Sequence, residues 1–135
     1  MKGIADTGFI VAFLNGSDRH HGWALEIAAS VSEPLLTCES VISEAGFQVG
    51  SVQEVLDLVQ DGFLKVAFDL PRNFERIREL AIRYHDRTPD LADLCLIRMS
   101  ELYDKLPVLT VDESDFRVYR RNGRDVISIV CPPRG

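Results

Sequence analysis

Four acidic residues, Asp6, Glu44, Asp93 and Asp112, stand far apart in a chain of 135 residues, each at a turn signal or early in an apolar helical pattern. Asp6 opens the turn Asp-Thr-Gly8 after a short run from Lys2 to Ala5, and Asp112 follows the apolar Pro107-Val-Leu-Thr110 almost directly. Asp93 falls with Asp90 in the first turn expected after the breaker Pro89. Glu44 is a charge in apolar company, sharing a predicted helix face with Val41, Ala45 and Gln48. Carboxylates gathered within a few ångströms raise each other's pKa and cannot stabilise a fold by themselves. A divalent cation resolves the conflict, since Mg²⁺ or Mn²⁺ takes oxygen ligands, usually one or two carboxylates with waters and phosphate oxygens. Such an ion lowers the pKa of a bound water to make a nucleophile, and a second ion about 4 Å away stabilises the leaving oxygen, which is the chemistry of phosphodiester hydrolysis. Taken singly, these residues have plainer uses: Asp6 and Asp112 as helix N-caps, Asp90 and Asp93 at a helix N-terminus, Glu44 facing solvent.

The elements that carry these residues decide whether they can meet. Lys2 to Ala5 reads as a strand, and Phe9 to Leu14 as a buried helix, although periodicity cannot separate helix from strand in so short a run. Trp23, Ile27, Ala28 and Val31 recur at helical spacing. Leu35 to Thr37 reads as a strand, with Ser40 placed to cap the helix of Glu44. Ser51 to Gln60 is helical by pattern and closed by Gly62, and Leu64 to Phe68 alternates as a strand. Pro71 opens a helix with Phe74, Ile77, Leu80, Ala81 and Tyr84 inward and Arg72, Arg76, Glu79 and Arg83 outward. Asp90 to Tyr103 reads as a helix with Leu91, Leu94, Cys95 and Leu102 on one stripe. Pro107 to Thr110 and Val126 to Val130 read as strands, before a Pro-Pro-Arg-Gly tail expected to fray. Strands alternating with helices imply an α/β fold with a mainly parallel sheet. In such sheets every strand ends at the same edge and the functional crevice lies there, so all four carboxylates can be collected at one place.

Composition narrows the class. A chain of this length, 46% hydrophobic and without low-complexity stretches, is expected to form one domain over 1–135. Its longest apolar run, Phe9 to Leu14, is far short of a membrane span, and no signal-peptide pattern follows Met1, so a cytoplasmic location is expected. Cys38, Cys95 and Cys131 are odd in number and widely spaced, which fits buried thiols better than disulfides or a zinc site. A net charge of −6 argues against a basic nucleic-acid grip, but cations held by carboxylates restore local positive potential.

Ile4-Ala-Asp6-Thr-Gly8, Ser43-Glu44-Ala45, Pro89-Asp-Leu-Ala-Asp93 and Leu109-Thr110-Val-Asp112-Glu-Ser-Asp115-Phe116 together resemble the successive motifs of PIN domains, and most nearly those of VapC-type toxins. The resemblance covers nearly the whole chain. It implies a three-layer α/β/α sandwich, a Mg²⁺ or Mn²⁺ site built from Asp6, Glu44, Asp93 and Asp112, and cleavage of RNA. Thr110 resembles the hydroxyl residue that family members place beside the metal. Asp115 matches an acidic residue that could ligate a second metal or support the first from behind, and Asp90 is a weaker candidate for that outer role. An antitoxin protein and a homodimer are the partners expected.

Arg117, Arg120, Arg121 and Arg124 follow the Asp112 turn closely enough to meet RNA phosphates, or else form a solvated turn with internal ion pairs. His20-His21 lacks the third ligand and the spacing a zinc site needs, so these residues and His85 are read as surface or helix-start groups. Trp23 and the Phe residues have core spacing. Besides a toxin ribonuclease, a housekeeping PIN nuclease of RNA maturation fits the motifs. A receiver-like metal-binding switch would need a lysine after a late strand, and none follows Asp112; the nearest, Lys105, precedes it.

Overall fold

The structure is a computed structural model and describes residues 1–134. Five short strands, β1 (Ile4–Ala5), β2 (Leu35–Thr37), β3 (Leu64–Val66), β4 (Val108–Leu109) and β7 (Ile129–Val130), form a wholly parallel sheet in the order β3-β2-β1-β4-β7. Between β4 and β7 in the chain, β5 (Arg120–Arg121) and β6 (Asp125–Val126) pair as a small antiparallel hairpin. Seven helices flank the sheet as the outer layers of an α/β/α sandwich: α1 (Thr7–Leu14), α2 (His21–Ser30), α3 (Glu39–Val49), α4 (Val52–Gln60), α5 (Phe74–Arg83), α6 (Leu91–Leu102) and α7 (Glu113–Val118). None of these helices, among the described residues, is long and apolar enough to cross a membrane.

Parallel strands covered on both faces must be apolar throughout, and Ile4, Ala5, Val108 and Leu109 are all fully buried. The chain runs outward from β1 through β2 to β3, then returns to lay β4 on the other side of β1. That reversal places the switch point, the position where open α/β sheets leave a crevice, beyond the ends of β1 and β4.

Several local expectations are corrected. Cys38, not Ser40, is the N-cap of α3: its extended backbone (φ −131, ψ 164) continues β2, and Ile42 N already donates to Cys38 O. Phe74 is 59% exposed rather than inward, because Pro71 opens a 3-10 turn (Pro71–Asn73) that sets the phase of α5, leaving Ile77, Leu80 and Tyr84 as its buried stripe. Arg76, expected outward, folds back onto Glu101. Helix α6 shows no single stripe: Leu91 and Leu102 at its ends are exposed, while Ala92, Leu94, Cys95, Leu96, Ile97, Met99 and Ser100 are buried. It packs against α3, α5 and β1 at once, so its sequence is apolar nearly all round. The expected strand from Val126 to Val130 divides, with exposed Val126 in the hairpin and β7 confined to two residues. In the tail, Arg134 reaches Glu113 at 2.7 Å, and Gly135 lies outside the described residues.

Candidate active site

Asp6 leaves β1 as the N-cap of α1 and is 6% exposed. Its backbone N–H donates to Leu109 O of β4, so the residue is fixed at the seam between the two central strands. Its carboxylate accepts from Thr7 N at 2.7 Å and from the Thr110 hydroxyl at 2.6 Å. The same hydroxyl accepts from Asp112 N at 2.9 Å. Fully buried Thr110 therefore holds the Asp6 carboxylate and the turn of Asp112 through one oxygen. Gly8 allows this closeness: a Cβ there would stand 2.2 Å from Val111 Cγ2, so no side chain fits between α1 and that turn.

Asp90 caps α6, its Oδ1 accepting from Asp93 N at 2.9 Å, which sets Asp93 in the first turn. The Tyr119 hydroxyl donates to Asp93 Oδ2 at 3.1 Å. Tyr119 is 1% exposed and packed edge-on against Tyr84 and Phe116, so it is a rigid support for that carboxylate. Glu44 reaches the site from α3. Asp6, Glu44, Asp90, Asp93, Asp112 and Asp115 all line one cavity of about 490 Å³ at the switch point.

Burial and mutual repulsion penalise ionisation here. Burial pushes Asp93 up to about 7, with the charges of Asp90 and Asp6 adding to it and the Tyr119 hydrogen bond opposing. Asp112 rises to about 6, first through burial and then through its contact with Asp115. Asp6 is raised by burial against the help of Thr110 and the Thr7 amide, and Glu44 is raised by burial and by Asp90. Among the residues lining the cavity, Arg87 is the one cation, and it is paired with Asp115 at 2.8 Å.

The arrangement suits a hard divalent cation. The donors are all oxygen, and the carboxylates lack the cations that would make such a cluster stable. The Thr7 hydroxyl is buried at the cavity wall and makes no hydrogen bond of good geometry, although it lies near enough to Glu44 to favour its charged form. Among the described residues no three acidic, Cys or His side chains are gathered tightly enough to chelate an ion by themselves. An open ring of this kind fits Mg²⁺, which keeps several waters and takes few protein ligands.

The arginines after the Asp112 turn do not line this cavity. Arg117 pairs with Glu113, Arg120 closes the C-terminal carbonyls of α7, and Arg121 donates to Ser100 O and Asp104 O at the end of α6. Arg124 is exposed in the hairpin turn. The Nδ1–H of His21 donates to Ala12 O at 2.7 Å and that of His85 to Ile82 O at 3.0 Å, and neither ring lines the cavity. Cys38 and Cys95 are buried free thiols, and Cys131 is partly buried.

Sequence reading missed Tyr119, Arg87 and Thr7. Tyr119 stands among Arg117, Arg120 and Arg121 with nothing to mark its own hydroxyl as a site group, whereas Arg87 could have been noticed three residues before Asp90. Thr7 stands beside Asp6 and passes for a helix-start residue.

Comparison with curated proteins gives no match. The family model described as PIN domain matches residues 4–122, which spans every carboxylate of the cavity. PIN domains are generally nucleases and typically use divalent metal ions such as Mg²⁺. Fold, site and family match agree, and the chain belongs to the PIN-domain family.

Proposed function

We propose that this protein is a Mg²⁺- or Mn²⁺-dependent endoribonuclease and the toxin of a toxin–antitoxin pair. One observation carries the reading: a buried Asp6, oriented by Thr110, joins Glu44, Asp93 and Asp112 around an open cavity, and their charges lack compensating cations. Asp6, Glu44, Asp93 and Asp112 would hold the metal, directly or through water. Bound there, it would supply a lowered water pKa and charge for the scissile phosphate. The chain's own part is to fix three of these carboxylates: Thr110 holds Asp6, the Asp90 cap and Tyr119 hold Asp93, and the Asp112 amide's bond to Thr110 holds the turn that carries Asp112.

RNA as substrate and the toxin role rest on the resemblance of the four motifs to VapC-type chains. An antitoxin segment would enter the acidic cavity with a basic side chain, since a guanidinium can replace a cation between carboxylates. A homodimer would cover the exposed apolar side chains of the α3–α4 hairpin, Phe47 at 88% foremost, with Val52 and Leu56.

The test is cleavage of RNA by the purified chain with Mg²⁺, Mn²⁺ or EDTA, beside an Asp6→Ala control and a DNA substrate of the same sequence. Cleavage confined to RNA and to the metal-containing reactions is expected, and cleavage persisting in EDTA overturns the reading. Expression in a bacterial host should arrest growth unless the partner is co-expressed. Unimpaired growth with abundant folded protein would instead favour a housekeeping nuclease.

A further inference from the structure

We propose that Arg87 grips an RNA phosphate at the mouth of the acidic cavity, with Asp115 serving as its internal counter-ion while no RNA is bound. The inference rests on the ribonuclease reading above and names the residue that admits the substrate.

A phosphodiester approaching six carboxylates meets a repulsive field, which a metal ion relieves only where it sits. The remaining lining offers one positive group, Arg87. Its guanidinium makes a single hydrogen bond among the described residues, NH2 to Asp115 Oδ1 at 2.8 Å, out of the five donors the group carries. The pair is open to water, with side chains 35% and 37% exposed, so it contributes little stability and exchanges at small cost. The neighbouring arginines differ in this respect. Arg120 gives NH1 to three backbone carbonyls and Arg121 gives it to two, which commits them to closing helices. A planar fork with free N–H groups is the donor set that suits a phosphate.

The backbone beside it supports an assigned position. Arg87 ends a 3-10 turn (His85–Arg87), and Thr88, which follows, sits at φ 45 and ψ 54. That is left-handed space for a β-branched residue, directly before Pro89, where the helical regions are already disfavoured. A glycine would relieve the strain. Strained residues of this kind concentrate at ligand clamps, and this one lines the cavity between Arg87 and the Asp90 cap of α6.

Asp115 as counter-ion differs from Asp115 as a ligand of a second metal, and the two are separable. Affinity for a labelled single-stranded RNA is measured by anisotropy against salt, in Ca²⁺ and with the RNA checked to remain intact, while cleavage is followed in parallel against Mg²⁺ concentration. Arg87→Ala should weaken binding about tenfold and flatten the slope of log affinity on log salt by roughly 0.7, the loss of one single-strand phosphate contact. Arg87→Lys should keep the slope with weaker binding, and Arg120→Ala is not expected to alter it. Asp115→Asn should tighten RNA binding about two- to fivefold, since the guanidinium no longer has to leave a partner, and leave the Mg²⁺ requirement unchanged. A wild type that cleaves RNA while Arg87→Ala keeps its affinity and slope overturns this inference alone. A raised Mg²⁺ requirement in Asp115→Asn without tighter binding overturns the counter-ion role. A wild type that neither binds nor cleaves RNA overturns the inference together with the function it rests on.

Discussion

Two groups of buried carboxylate stand on either side of α6, and the fold treats them oppositely. At the C-terminal end of the helix, the Glu101 side chain is 2% exposed and fully partnered. Arg76 grips both of its oxygens, Arg98 donates to one, and the Asn122 amide to the other, at 2.6 to 3.1 Å. Burial alone would raise its pKa, yet these donors hold it below the usual carboxylate range. At the N-terminal end, Asp93 and its neighbours have backbone and hydroxyl donors but almost no cations, and their pKa values rise. The chain can satisfy a buried acid when the acid is there for stability. Leaving the second group unsatisfied reserves it for a ligand that brings its own charge.

The largest contrast should appear in activity. Asp6→Ala is expected to lower RNA cleavage by about 10³-fold or more, the scale on which a preorganised charged group at a reacting centre is felt. Glu101→Ala, measured at a temperature where it stays folded, should leave cleavage within a few-fold of wild type. Stability should rank the two the other way. Removing Glu101 takes from Arg76 and Arg98 the buried carboxylate that both bind and is expected to cost about 3 kcal/mol, read as a melting temperature lower by roughly 10 °C. Thr110→Val probes the joint between stability and function: it keeps the shape but not the hydroxyl, and cleavage should fall about 10- to 100-fold as Asp6 loses its orientation. An unaffected rate would remove Thr110 from the site.

What the sequence disclosed follows from the range of the interactions involved. Asp6, Asp112 and Asp93 were legible because parallel strands end at one edge and a helix starts beside them, which are local facts with a fixed geometric consequence. The course of α6 was not, since a helix packed against α3, α5, β1 and β5 has no empty side to give it period 3.6; Leu91 and Leu102 therefore looked as inward as Leu94. Arg120 and Arg121 resembled phosphate ligands by proximity to Asp112, but Arg120 turns back onto the three carbonyls just before it, and Arg121 serves carbonyls at the end of α6 that only the fold brings near. The Tyr119–Asp93 bond joins residues 26 apart through an aromatic with no local signature. Arg87 stood within sight of Asp90, but its pairing with Asp115, 28 residues away, was not local.

The two acid groups should also respond to pH with opposite sign. Without metal, Asp93 ionises near 7 in the folded chain and near its ordinary 3.8 in the unfolded one. Below pH 4 both states are protonated; between 4 and 7 the unfolded chain releases the proton that the folded one keeps, so folding stability falls over that window and then levels off. Asp112 adds to the decline between about 4 and 6. Glu101, with its pKa lowered, gives stability that is present above the ordinary 4.5 and lost as pH falls below it. In EDTA, wild type is therefore expected to melt higher at pH 5 than at pH 7.5, and Asp93→Asn should flatten that difference. No flattening would mean that Asp93 is not the group responsible.

The claim that the cavity's charges are unsatisfied until a cation arrives is tested most directly by thermal melts of wild type and Asp93→Asn at pH 8, in EDTA and in excess Mg²⁺. Asparagine keeps the shape and the acceptor for Tyr119 while removing one charge, so in EDTA the variant should melt about 2–5 °C higher than wild type, although most substitutions destabilise. In excess Mg²⁺ the order should reverse, because a ligand that binds the folded state stabilises it by mass action and the variant holds it less well. If Asp93→Asn melts lower than wild type in EDTA, Asp93 serves the first turn of α6 as a stabilising anion, and the account of a cluster held in readiness for metal is contradicted.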